Sequence, residues 1–316
     1  IDDSGYDTAD RWRSSQNSGG LGNYTAEQST DTPDGFGNSY KLTKSGATTI
    51  SSGVSAYIEQ YIEGQNVQHL NYGSSSAKKL TASFHVKSSV TGTYGCFLGD
   101  GTSSGKKNVQ TFTISSANTW EKKVLTFNGD TATALDNDNS AELTFGIVLG
   151  AGTNYHTGTT NSWLSAASPS ALSTSSQTQW PQTDGATFFM TGIQLEVADA
   201  ATDFEHRSVA EELALCRRYF YRWNTDGEQY SNLCIGGVLN SSQARGVPQL
   251  PQTMRSNAAI AQSGDFRIVS MGSGAVRTSI TISINRGHTL QPYVQFAGSG
   301  GSSLTAGQTA EMGANA

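Results

Sequence analysis

Short segments in which apolar and polar residues alternate, separated by polar turns, constrain this chain most. In Lys79–Val86 (KLTASFHV), Leu80, Ala82, Phe84 and Val86 share one face, while Thr81, Ser83 and His85 share the other. A period of two sends successive side chains to opposite sides of an extended strand, so one face is buried and the other is wet. Ser55–Ile62, Thr93–Leu98, Gln110–Ile114, Trp120–Phe127, Leu143–Leu149 and Thr187–Glu196 follow the same style. They recur at roughly 10–15-residue intervals without a helical period between them, which predicts an antiparallel sandwich. Composition agrees. Only 15% of the 316 residues are charged, and Gly, Ser, Thr, Asn and Gln abound, which suits sheets with many polar turns better than helix bundles. The length suffices for two ordinary domains.

One segment breaks the pattern. Ser208-Val209-Ala210-Glu211 fits a capping box, in which the serine oxygen accepts from the N3 amide and the glutamate reaches back. Val209, Leu213, Cys216 and Phe220 follow at spacings of four, three and four, predicting a helix over 208–218. About three turns are marginal alone in water, so this seam must pack on its own domains or on sister subunits. It is expected near a symmetry axis, as an oligomer interface. Arg218–Trp223 alternates again, with Tyr219, Tyr221 and Trp223 on one face, and Val276–Ile284 is the cleanest strand in the chain. Pro248 and Pro251 mark an edge strand or strand ends. The fold class is therefore all-β: two antiparallel β-sandwich, jelly-roll-like domains joined by one short α-helix. The first sandwich is assigned to residues 1–205, the connecting helix to 206–218 and a smaller C-terminal sandwich to 219–316.

Charge and motifs exclude several functions. The net charge is −6, and residues 1–207 hold 12 Lys and Arg against 20 Asp and Glu, a net of −8. Residues 208–316 hold eight basic residues, all Arg, against six acidic ones. That asymmetry does not make the clustered basic face a nucleic acid requires. Cys96, Cys216 and Cys234 are odd in number and contain no CxxC pair, which disfavours a disulfide framework or a zinc site. No apolar run is long enough to span a bilayer, so no membrane insertion is expected. The start at Ile1, without Met, is expected of a processed product or a fragment.

The five histidines are scattered, without metal-ligand spacing. Asp136-Asn137-Asp138-Asn139-Ser140 opens like a calcium loop but has Ala141 where glycine is needed and Ile147 where glutamate is needed, so it reads as a polar turn. Gly101–Lys107 faintly resembles a phosphate loop, but Asp100 stands where the Walker pattern needs glycine and Lys107 where it needs Ser or Thr, so it reads as a hairpin loop, and no GxSxG elbow occurs. No catalytic residue, cofactor or metal is expected.

Aromatics remain. A sugar ring is apolar on its face and polar at its rim, so binders stack it on Trp or Tyr and hold its hydroxyls with polar side chains. Residues 150–186 lack a period and carry Tyr155, His156, Trp163 and Trp180 among Ser, Thr, Asn and Gln. Such a long loop in a compact domain is usually functional. Tyr57 and Tyr61 flank Glu59 on one strand face and have the same mix. These six are the candidate glycan-binding residues; the competing reading makes them core or subunit contacts.

Asp10-Arg11-Trp12, the IEGQNVQHL segment with its LTASFHVKSS continuation, TWEKKVLTFNGDT (Thr119–Thr131) and GIQLEVADAATDFEHRSVAEELALCRRYFYRW together resemble bacteriophage and prophage virion proteins of the tail-fibre or carbohydrate-binding-module-like class. The matches run in order over most of residues 7–223. Residues 224–316 resemble the variable module that follows in such proteins, and MRSNAAIAQSG (Met254–Gly264) is similar to its MR-x-x-P segment, with Ala258 in place of the proline. The resemblance implies a carbohydrate-binding jelly roll joined to a small distal sandwich. It implies a homo-oligomer, with a trimer expected, on a virus particle. The partners would be other virion proteins and host cell-surface carbohydrate. It also implies a further N-terminal segment. Related modules hold calcium near an Asp of the last strand, where this chain has Thr191, so no metal is assigned. Three functions follow: a phage virion adhesin binding host glycans, a purely structural capsid-decoration or tail component, or the binding module of a glycan-active enzyme.

Overall fold

A computed structural model describes residues 11–101, 105–165, 171–223, 232–257, 259–263, 266–286 and 289–314. The chain divides into two compact units, Ile1–His206 and Arg207–Ala316. Unit 1 contains β1 (Trp12–Asn17), β2 (Tyr24–Ser29), β3 (Ser39–Lys44), β4 (Ser55–Glu63), β5 (Leu80–Ser88), β6 (Gly92–Asp100), β7 (Lys107–Ile114), β8 (Glu121–Phe127), β9 (Ala141–Ala151), β10 (Trp163–Leu164) and β11 (Thr187–Glu196). They form a six-stranded sheet, β1-β4-β9-β6-β7-β10, and a five-stranded sheet, β2-β3-β11-β5-β8. All their pairings are antiparallel.

Alternation explains the packing. Ile58, Tyr94, Leu98, Phe112, Phe145 and Ile147 from the first sheet meet Leu42, Ala82, Phe84, Val86, Phe188 and Met190 from the second in one buried cluster. This two-layer core is what the period-two pattern requires. Thr191 stands at a bulge in β11, where Gly192 adopts φ +59° and the register shifts before Gln194. The turn at 136–140 closes on itself, with the Ser140 amide donating to Asp138 Oδ1 at 2.7 Å.

Unit 2 contains α1 (Val209–Arg217), β12 (Asn232–Asn240), β13 (Gln243–Gly246), β14 (Phe266–Ser270), β15 (Val276–Arg286), β16 (Tyr293–Gly301) and β17 (Thr309–Ala314). The architecture is thus all-β with one α-helix. The strands of unit 2 close on themselves in the order β12-β13-β16-β15-β14-β17, with β17 returning to β12. Among the described strands, closure leaves no free sheet edge around a small buried cluster of Val238, Ala244, Ile268, Ile280, Val294, Phe296, Leu304, Ala310 and Met312.

The capping box forms as the sequence suggests: the Glu211 amide donates to Ser208 Oγ at 3.3 Å and the Ser208 amide to Glu211 Oε2 at 3.0 Å. The strand expected over Arg218–Trp223 does not form. The amides of Tyr219 and Phe220 donate to the Cys216 carbonyl, so the helix end captures the chain in a turn. Among the described residues, no helix is long and apolar enough to cross a membrane.

Candidate functional site

The side of the six-stranded sheet turned away from the core holds a connected array of charged and aromatic side chains. Ala56 and Ile58 of β4 lie in the core, so their neighbours Tyr57, Glu59 and Tyr61 project outward. Register places Arg13 opposite Glu59, Glu59 opposite Gly146, and Gly146 opposite Phe97. The next outward row runs from Tyr61 through Thr144 and Gly99 to Lys107. Five strands, β1, β4, β9, β6 and β7, therefore contribute side chains or bare backbone to one strip.

Glu59 is its centre and is only 4% exposed. Tyr61 Oη donates to Glu59 Oε1 at 3.0 Å. Arg13 Nε lies 3.2 Å from the same oxygen, but its N–H is misaligned, so the contact is a charge pair rather than a hydrogen bond. The guanidinium also sits 5.1 Å from the Tyr61 ring centroid. Burial pushes the Glu59 carboxyl above its ordinary pKa of 4.5, and Arg13 opposes that shift. Burial, then the Glu59 charge, raises the Tyr61 phenol strongly. Lys107 Nζ stands 5.5 Å from the Phe97 ring centroid. Desolvation lowers its pKa, while Glu59 and Asp100 pull it back up.

A glycine makes this floor. A Cβ built on Gly146 would overlap the Phe97 ring, which lies across β9 at that point. Phe97 in turn meets the Tyr57 ring edge-on at a centroid distance of 5.6 Å. Beyond Phe97, Val109, Val148, Ala151, Tyr155 and Leu172 form a separate apolar cluster on the same outer side. The long loop holds it down through the buried Gln177. Its Oε1 accepts from the Gly95 amide at 2.8 Å, and its Nε2 donates to the Val148 carbonyl at 3.2 Å.

The six sequence candidates therefore separate. Tyr57 and Tyr61 are half-buried beside Glu59 on the array. Tyr155 is buried under the loop, where its hydroxyl accepts from Asn17 Nδ2 at 2.6 Å. His156 is half-exposed, its Nε2 3.0 Å from the Ala151 carbonyl oxygen. Trp163 packs against the main core and edge-on to Tyr72, at 5.6 Å, and its Nε1 donates to the Asn128 carbonyl. Trp180 is wholly buried in the main core. The fold spends Tyr155 and Trp180 on packing, as the reading of these aromatics as core contacts has it, and neither offers a ring face to solvent, while His156 and Trp163 stay half-exposed. Arg13 and Lys107 were missed as candidates because they lie on strands distant in sequence from β4, and pairing alone brings them beside it.

Of the expected interface residues, Val209 is 84% exposed and Phe220 62%, Leu213 is exposed, and Cys216 is half-buried. No residue of α1 is buried. Among the described residues, no group of three or more His, Cys, Asp or Glu could hold a metal.

The raised Glu59 pKa sets a pH dependence. Folding favours its protonated form, so its contribution is most favourable below the ordinary value of 4.5 and is lost as pH rises through the higher folded value. Glu59→Gln should therefore gain stability relative to the wild-type chain as pH rises above about 4.5. Thermal midpoints of both proteins across that range check this, and a difference that shrinks with pH contradicts it.

No protein-family model matches the chain, and no curated protein does. Among solved structures, the enzymatically active domain of bacteriophage CBA120 tailspike protein 4 aligns with 13% identity and a TM-score of 0.33, covering 60% of this chain and 19% of that one. The family 11 carbohydrate-binding module from Clostridium thermocellum, in complex with a β-1,3-1,4-mixed-linked tetrasaccharide, aligns with 14% identity and a TM-score of 0.31 over 65% of this chain and 96% of the module. The C-terminal family 22 module of Clostridium thermocellum Xyn10B aligns with 10% identity and a TM-score of 0.33 over 61% and 89%. The chain thus spans about a fifth of the tailspike domain it aligns with.

Proposed function

We propose that this chain is a non-catalytic glycan-binding protein whose first unit holds a saccharide against the outer side of β4. The observation that supports this is the strip of Tyr57, Glu59 and Tyr61 with Arg13 across the pairing. It joins half-exposed aromatic rings to a carboxylate and a guanidinium. Rings cover the apolar face of a sugar, and fixed charged groups hold its hydroxyls. The protein serves as a module of a larger assembly that attaches to, or acts on, surface polysaccharide. A virion adhesin is one such assembly. The exposed seam of α1 favours self-association, with a trimer as the expected state, in which weak sites gain from multivalency.

A glycan array probed with the intact chain tests the reading, with its mass in solution fixed by sedimentation. Binding that falls at least tenfold in Tyr61→Ala, with an unchanged melting profile, is the expected result. No binding to any glycan supports a purely structural role instead. Release of oligosaccharides from a polysaccharide contradicts the non-catalytic assignment, and a stable monomer contradicts the trimer.

A further inference from the structure

The lysines of unit 1 distinguish one position. Six of them are partly or fully buried: Lys41, Lys44, Lys87, Lys106, Lys107 and Lys123. Lys41 pairs with Glu27, Lys87 with Asp31, Lys106 with Asp130 and Lys123 with Glu121. Lys44 Nζ donates to the carbonyls of Asn23 and Ser45. Among the described residues, Lys107 alone of the six has neither a carboxylate within ion-pair distance nor a hydrogen-bond acceptor; its ammonium lies over the Phe97 ring, and Glu59 and Asp100 act on it from longer range. A partly desolvated ammonium without an anion in contact is costly, and titratable groups perturbed in this way concentrate at functional sites.

The position of Lys107 gives this meaning. It shares the outward row with Tyr61, Thr144 and Gly99. Three strand spacings separate β4 from β7, about 14 Å, which leaves room for a short saccharide to lie across the strip. Between them Gly99 has no side chain, and among the described residues even a Cβ there would make only ordinary contacts, the nearest with Thr144 and Lys107, so the middle of the row is low. Glu59, the one carboxylate at the centre, is already engaged by Arg13 and Tyr61. Asp100 acts on Lys107 only from beyond ion-pair distance, so the Lys107 ammonium has no carboxylate in contact.

We propose that the array selects an acidic saccharide, with Lys107 Nζ pairing the carboxylate of a uronic-acid residue while Tyr57 and Tyr61 flank the neighbouring sugar. This rests on the glycan-binding reading above. Such a pair is charge-assisted and partly shielded from water, so it discriminates strongly against the neutral analogue, which would leave the ammonium desolvated and unpaired.

The test uses the intact chain and oligosaccharides of two uronic acids, trigalacturonate and a hyaluronan tetrasaccharide, each beside its carboxyl-reduced counterpart, with a sulfated oligosaccharide as a further arm. At low salt, one uronate should bind at least tenfold more tightly than its reduced form. Lys107→Gln should abolish that preference without lowering the melting profile, and Lys107→Arg should retain it. Equal binding of acidic and reduced forms, or a preference that survives Lys107→Gln, overturns the proposal and leaves glycan binding standing. Binding confined to the sulfated arm overturns the uronate assignment. Failure of every saccharide, neutral glycans of the array included, overturns both readings.

Discussion

Trp180→Ala is expected to lower the unfolding free energy of unit 1 by about 3–5 kcal/mol, the range for deleting a large, fully buried aromatic side chain. Trp180 is wholly buried in the main core cluster, and the short helical turn that carries it, Trp180–Gln182, touches β9. Few neighbours of a ring fixed between the sheets can collapse into the void, so the cavity contribution persists. Among the described residues its Nε1 has no hydrogen-bond partner, unlike that of Trp163, whose indole donates to the Asn128 carbonyl. Trp180→Phe removes that unsatisfied donor along with part of the ring, and should cost clearly less than the alanine change. Calorimetry of the intact chain can resolve the transition of unit 1 from that of unit 2. A loss below about 1 kcal/mol would show that Trp180 is not a core residue. Trp180→Phe should also leave saccharide binding intact, which separates a packing role from a stacking one.

Gly146→Val is the second large effect. The added side chain would occupy the space of the Phe97 ring, itself fully buried beneath the outer cluster. Either the ring moves or β9 bends, and overpacking of this kind costs about 1–3 kcal/mol. The functional loss should exceed what that destabilisation explains. Phe97 contacts Tyr57 on one side and carries Lys107 on the other, so displacing it disturbs both ends of the array. Gly99→Ala serves as the control. It adds the same kind of group one row away, where only ordinary contacts await it, and should leave the fold near its original stability. If Gly146→Val binds saccharide as the unaltered chain does, the strip is not the site.

Much of this architecture can be read before any pairing is known. Strong alternation marks β4, β5, β9 and β11, because a strand buried on one face must repeat every second residue. The helix was legible from its capping box alone, since those groups satisfy amides that no helical carbonyl can reach. The first two strands were not legible. WRSSQN and YTAEQS look like loop because β1 and β2 bury polar side chains: Ser14 and Tyr24 meet by their hydroxyls, and Ser15 is also buried. The strand expected after α1 failed for a different reason. Its alternation is real, but the last helical turn holds Tyr219 and Phe220 by their amides before a sheet can.

The candidate site divides in the same way. Alternation within β4 puts Tyr57, Glu59 and Tyr61 on one face whatever the strand pairs with, so that trio follows from local periodicity alone. Their partners depend on register. Arg13, Gly146, Phe97 and Lys107 are separated from β4 by tens of residues, and only hydrogen-bonded pairing lays them side by side. Burial of Trp180 and Tyr155 was likewise a tertiary decision. An aromatic in a polar loop reads the same whether it faces water or caps a sheet, and the buried Gln177, binding the backbone of β6 and β9, chose the second. Local periodicity thus determined which residues share a strand face. Long-range pairing, which no short window of sequence contains, decided which of them meet.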